Sequence, residues 1–266
     1  MTVHAPKSFC ADGVRPVKES VSECMSRAVA NEKSGRMNAV IKDANRVIEL
    51  EPKNWRAYEL RAKAYFKVGP YVRSISDYRS AIALAPREAR LREDLLHVIE
   101  TAGETDLMVE ETTNAINSGM KNSFLYIKRA DAYYRQELYE KAAADLTVLM
   151  SMPVAKDRWK RWEFLKLRGL CYLRTKQLAK AEKDCSDALV IANDDSKTYF
   201  CRADVRERMG KYREAVDDLT KTIKLDPGNG RAFSVRAKIY EYLGDKKRAD
   251  ADRKEAIEVG QKQWGF

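Results

Sequence analysis

The chain has 266 residues, of which 34% are charged and 44% hydrophobic, and its formal net charge is +10. Such a composition buries a core and stays strongly solvated. No run is long and apolar enough to span a bilayer, so no membrane insertion is expected. The positive balance permits acidic proteins, nucleic acid or an anionic surface as partners and selects none of them.

Residues 1–20 lack the apolar stretch of a secretory signal and read as a mobile lead-in. The five cysteines, Cys10, Cys24, Cys171, Cys185 and Cys201, form no C-x-x-C pair and are odd in number. That pattern favours free thiols in a reducing compartment, and the expected location is cytoplasmic. From residue 21 onward the sequence repeats. An arginine followed by a small residue recurs at Arg27, Arg61, Arg129, Arg168, Arg202 and Arg236, with spacings of 34, 68, 39, 34 and 34 residues. The 68 is twice 34, so one more unit without the arginine lies inside it. Seven units follow: 21–54, 55–88, 89–122, 123–156, 162–195, 196–229 and 230–263. A five-residue insertion, 157–161, separates the fourth from the fifth, and 264–266 form a short tail.

Numbered 1 to 34 within each unit, positions 4, 8 and 11 and then 20, 24, 27 and 28 are mostly apolar or small. This is a 3.6-residue period on two successive helices. Position 8 is Ala28, Ala62, Leu96, Ala130, Gly169, Ala203 and Ala237, and position 28 is large throughout, from Ile48 to Ile257. Position 15 is Gly35, Gly69, Gly103, Gly210 and Gly244, which suits a left-handed turn after the first helix. Pro52, Pro86 and Pro227 at position 32 stop the second helix.

These residues at these spacings resemble the tetratricopeptide repeat family, whose unit is a 34-residue helix-turn-helix. The resemblance covers residues 21–263. It implies an all-α fold, an α-solenoid of seven helical hairpins wound as a right-handed superhelix, with the first helices lining a concave groove. The third unit matches least well, having Leu96 and Met108 where small residues are usual.

The arginine at position 7 stands where the family usually has an apolar residue. In an antiparallel hairpin, position 7 lies level with about position 23, which reads Asp43, Asp77, Glu111, Asp145, Asp184, Asp218 and Asp252. The third unit has Leu95 in place of arginine and is the one that departs from aspartate. We therefore expect six ion pairs inside hairpins: Arg27–Asp43, Arg61–Asp77, Arg129–Asp145, Arg168–Asp184, Arg202–Asp218 and Arg236–Asp252.

Catalytic chemistry finds little support. The two histidines, His4 and His97, lack an orienting partner in the pattern. Cys171 and Cys185 at positions 10 and 24 read as packing residues rather than a metal or redox pair. No phosphate-binding loop occurs. Tyr65, Tyr133, Tyr172 and Tyr240 form a position-11 stripe expected in the core. No enzyme activity, cofactor or metal is expected, and function falls to the surface.

In the family the groove is lined by positions 2, 5, 6, 9, 12 and 13. Here those positions hold 13 basic and 10 acidic residues, too mixed for a nucleic-acid groove. Position 13 alone is biased, with Lys33, Lys67, Arg135, Arg174 and Arg208 and no acid. Apolar groove residues cluster in units four to six: Phe124, Ile127, Tyr134, Leu170, Leu173 and Phe200. Arg135, Lys166, Arg174, Lys197 and Arg208 rim them. An apolar patch rimmed by cations is the ordinary form of a protein-binding site. The expected function is a protein-interaction scaffold holding an extended or helical partner segment with acidic residues, alone or within a larger assembly. The alternative is an RNA-binding repeat protein using outer basic surfaces. A further alternative is an adaptor resembling co-chaperones. The family's carboxylate clamp is absent, since Leu170, Cys201 and Val235 occupy positions that the clamp fills with Asn, Asn and Arg. The insertion carries Trp159 among Lys156, Arg158, Lys160 and Arg161 and is read as a longer loop with a second exposed candidate.

Overall fold

A computed structural model describes residues 19–264. Most of the expected lead-in, with His4 and Cys10, and the end of the tail lie outside the described residues. The described residues form fourteen α-helices and no strand: α1 (Val21–Lys33), α2 (Met37–Leu50), α3 (Trp55–Val68), α4 (Tyr71–Leu84), α5 (Ala89–Ala102), α6 (Thr105–Asn117), α7 (Ser123–Arg135), α8 (Tyr139–Ser151), α9 (Arg158–Arg174), α10 (Leu178–Ile191), α11 (Ser196–Arg208), α12 (Tyr212–Leu225), α13 (Gly230–Tyr242) and α14 (Lys246–Trp264). The chain divides into two compact units, one ending at Gly103 and the other beginning at Glu104. The first holds α1–α5 and the second α6–α14. The boundary falls inside the third repeat, the one with Leu95 at position 7.

The first helix of every repeat but the third starts at a side-chain cap. Asn54, Asn122, Asp195 and Asn229, all at position 34, accept hydrogen bonds from the first amides of the next helix. Ser20 and Glu23 form a reciprocal capping box at the start of α1. Between the helices of a hairpin the chain turns through a left-handed residue at position 15. Glycine takes it in five repeats, with φ between 66° and 81°. In the fourth and fifth repeats Glu137 and Lys176 adopt φ of 60° and 59° without that freedom.

Inside each unit the core is a ladder of small and large residues. Ala28, Ala62, Ala130, Ala203 and Ala237 are at most 1% exposed. At Gly169 an added Cβ would stand 3.0 Å from the Cys185 Sγ, so α9 and α10 approach closely there. Of the position-11 stripe only Tyr240 is fully buried; Tyr65, Tyr133 and Tyr172 are half-buried at the core's edge. Each of the four rings, the buried one included, also meets a cation from position 19. Arg73, Lys141, Lys180 and Arg248 lie 5.6, 5.5, 5.3 and 4.6 Å from the ring centroids of Tyr65, Tyr133, Tyr172 and Tyr240.

The position-7 arginines sit at the joints between repeats. Arg129 donates from Nε and Nη2 to both carboxylate oxygens of Asp145, at 2.8 and 2.7 Å. Arg61, Arg168, Arg202 and Arg236 hold Asp77, Asp184, Asp218 and Asp252 in the same two-pronged way at 2.6–2.9 Å. The remaining nitrogen, Nη1, reaches back one repeat. It donates to Asn45 from Arg61, to Thr113 from Arg129, to Thr147 from Arg168, to Ser186 from Arg202 and to Thr220 from Arg236. All five acceptors stand at position 25. Aromatic faces at position 4 or 11 flank these guanidiniums, as Tyr126 and Tyr133 flank Arg129 at 5.4 and 5.8 Å. Arg27 has no preceding hairpin among the described residues. Its Nη1 donates to Glu19 at 3.0 Å, and Asn31 takes the second oxygen of Asp43.

Two expectations follow. Asp145 is nearly buried and Arg129 mostly so. Removing either by alanine substitution should therefore lower stability by about 3–5 kcal/mol in urea titration, with the double variant well short of the sum. The Arg27–Asp43 pair, whose arginine is half open to solvent, should cost distinctly less. Replacing the left-handed Lys176 by glycine should raise stability by about 0.5–1 kcal/mol, seen as a higher melting temperature.

Candidate functional site

The candidate face lies wholly in the second compact unit, on α7, α9 and α11, the first helices of three successive repeats. Residues four apart on a helix share a face, so positions 5, 9 and 13 form one stripe. Phe124, Ile127 and Tyr134 on α7, Lys166 and Leu170 on α9 and Phe200 on α11 are all half-buried. Arg135, Arg174, Lys197 and Arg208 are exposed. The apolar members rest on the core beneath. Ile127 and Tyr134 pack against the cluster containing Tyr126, Leu146 and Cys171. Leu170 packs on the cluster of Cys185, Cys201 and Val205, and Phe200 on that of Ala203, Leu219 and Ile239. The helices α9 and α11 touch directly.

Leu173 departs from its expected place on this face. It is 5% exposed and belongs to the core cluster with Ala181, Cys185, Cys201 and Val205. Its neighbours are small, which leaves room for a leucine between hairpins, and position 12 of this repeat turns inward. The face is therefore narrower than the sequence implies, with Leu170 at its middle.

The basic rail divides in the structure. Arg135 pairs with Asp131 at 2.9 Å and Arg208 with Asp204 at 2.7 Å, each one turn earlier on the same helix. Arg174 and Lys197 form no ion pair among the described residues. Arg174 acts electrostatically on Tyr134, whose phenol burial pushes up while the arginine opposes the shift. Lys166 places its ammonium 3.9 Å from the Trp162 ring centroid. Arg231 covers Phe200 at 5.1 Å and Lys128 covers Phe124 at 5.6 Å.

On the corresponding face of the first unit, part of the charge is paired within the chain. Glu59, 5% exposed, accepts from both Lys63 and Arg90 at 2.7 Å. Beside it burial raises the Asp94 carboxyl, with Lys63 and Arg90 opposing. His97 is exposed with its ring edge toward Phe66 at 5.4 Å. Cys171 and Cys185 are both in the core, and burial pushes the Cys171 thiol up to about 12. Cys185 lies 3.4 Å from Cys201 of the next hairpin, a pairing that position numbers within one repeat do not reveal.

The segment read as a longer loop is helical. Pro153–Lys156 form a short 3-10 turn, Asp157 caps the following helix by accepting from the Lys160 amide, and α9 starts four residues ahead of the repeat. Position 25 also escaped the sequence reading. Its signal was present, because a hydroxyl or amide side chain stands there in each repeat that precedes an arginine, while Arg79 stands there ahead of Leu95.

The geometry can be set beside known proteins. A family model described as Tetratricopeptide repeat matches residues 127–196 and 202–258. Human sperm-associated antigen 1 is 24% identical over 233 residues, covering 76% of this chain and 25% of that protein. DnaJ homolog subfamily C member 3 of Gallus gallus is 22% identical over 218 residues, covering 76% of this chain and 42% of its own. The chain thus spans between a quarter and about two fifths of the length of these relatives. Among solved structures, the C-terminal part of a TPR repeat-containing protein from Cytophaga hutchinsonii aligns with a TM-score of 0.66 at 17% identity, over 87% of this chain and 93% of that one. An identity that low speaks for the fold alone. Fold and repeat match agree over residues 127–196 and 202–258, and the hairpins there belong to the tetratricopeptide repeat family.

Proposed function

We propose that this protein is an interaction scaffold and that the face built by α7, α9 and α11 binds a segment of a partner protein carrying acidic side chains. One observation carries the reading. On this face Arg174 and Lys197 are exposed cations with no ion pair among the described residues, beside the half-buried Tyr134, Leu170 and Phe200. Lys63 and Arg90 of the first unit, by contrast, are both taken up by Glu59. Carboxylates of a partner complete what the chain leaves open, and the apolar residues supply the desolvated centre of the contact. The free groups are an arginine and a lysine at the rim rather than a continuous basic track, which suits a peptide better than a phosphate backbone.

The test uses the full chain as bait. Partners captured from a lysate are identified by mass spectrometry and titrated against wild type and the Arg174→Glu, Lys197→Glu double variant. Affinity should fall about tenfold, or ~1.4 kcal/mol. The salt dependence of association should flatten, and the melting temperature should hold, because both side chains are exposed. Undiminished affinity would remove the site from this face. Salt-dependent retention of wild type on single-stranded RNA, lost in the double variant, would assign the face to nucleic acid instead.

A further inference from the structure

The second compact unit contains one first helix longer than the others. α9 has 17 residues against 13 in α7, α11 and α13, so it extends about 25 Å where they extend about 20 Å. The added turn is supplied by the insertion and is firmly built. Asp157 caps it, the Arg158 guanidinium donates to the Ile191 carbonyl, and Lys160 pairs with Glu163 at 2.9 Å.

The register of that turn matters. Residues 159, 163, 166, 170 and 174 are separated by four, three, four and four positions, so they share one face of the helix. The insertion therefore carries Trp159 onto the same stripe as Lys166, Leu170 and Arg174. Trp159 is 59% exposed, the most open aromatic ring on this stripe. It meets Trp162 edge-on at 6.2 Å and 90°, and the Arg158 guanidinium lies 5.8 Å from its ring centroid, so more than half of the side chain stays open to solvent. Trp162 is itself held by Lys166 above its ring. Glu163, the one acid in the stripe, is already met by Lys160. Along α9 the stripe thus runs aromatic, cation, aliphatic, cation, over about 22 Å from Trp159 to Arg174.

We infer that the extra turn is an anchoring subsite that makes α9 the template for an amphipathic, acidic α-helix about four turns long. The inference rests on the proposed function of the face and specifies its occupant. A helix lying along α9 has the same rise per residue. It can therefore set an apolar side chain on Trp159, a carboxylate at Lys166, an apolar side chain on Leu170 and a carboxylate at Arg174 at the same spacings of seven, four and four residues. An extended strand rises about 3.3 Å per residue and alternates its faces, so it meets this spacing less regularly. A large exposed aromatic at one end of a contact is also the residue type that dominates binding energy.

The probe is a synthetic sixteen-residue helical peptide built on alanine and glutamine. It has phenylalanine first, glutamate eighth and sixteenth, and leucine twelfth, and a second peptide carries the same pattern reversed. Binding is followed by fluorescence anisotropy against the full chain. One of the two orders should bind, and Trp159→Ala should weaken it about tenfold without shifting the melting temperature. Exchanging the peptide's phenylalanine for alanine should weaken binding to wild type equally, and add little against Trp159→Ala. If Arg174→Glu weakens the peptide and Trp159→Ala does not, the anchoring subsite is overturned and the acidic-partner reading stands. If neither order binds above the level of an all-alanine-and-glutamine control, the helical template is overturned. A partner from the capture experiment that is sensitive to Arg174→Glu but insensitive to Trp159→Ala would also overturn it, leaving the face itself intact.

Discussion

One mostly buried guanidinium at each of five joints holds successive hairpins of this protein in register. A guanidinium has donors in a fixed planar fork, and burying it without acceptors is costly. Here two nitrogens go to an aspartate of the same hairpin and a third goes to the preceding one. Aromatic rings close over the flat faces. Such a group fixes the level of the second helix against the first and the rotation of one hairpin against its neighbour together. Ion pairs of this kind contribute registry more dependably than raw stability. Shifting either helix by a residue would leave a carboxylate or a guanidinium buried alone.

The sixth repeat extends the same logic. Position 11 there is Arg206 rather than tyrosine, and it donates to Asp218 as well as to Glu182 of the preceding repeat, which also receives Lys211. Charge replaces an aromatic ring at that joint, and each member keeps a partner. The candidate face differs from these joints in kind. Two of its cations, Arg174 and Lys197, form no ion pair among the described residues and remain open to charges from outside. The distinction between cations that build the protein and cations that it offers to others separates the two sides of the same helices.

The fold was legible because its determinants repeat. The aspartate at position 23, the small residue at position 8 and the glycine at position 15 each recur often enough to show against background. Arg–Asp pairing could be read from their joint absence in the third repeat. The site was harder to read because its determinants do not recur. Leu173 and Leu170 are the same residue type three positions apart and pack on the same cluster, and only the packing of that joint tells which one is buried. The pairing of Arg135 with Asp131, but not of Arg174 with any acid, depends on position 9, which is aspartate in one repeat and Leu170 in the other. The helical extension of α9 was masked by Pro153, which reads as a loop residue, although Asp157 four residues later is a helix cap.

The back-reaching Nη1 bond also sets where the chain can be cut and joined. A hairpin taken from its first residue to its last carries its own aspartate but leaves behind the position-25 acceptor of its arginine. Moved next to Arg79, it would bring one guanidinium against another. The segment that travels with all its acceptors starts at the second helix of one repeat and ends with the second helix of the next. For duplication, transplantation or design, the module of inheritance in this chain is therefore out of phase with the hairpin that folds.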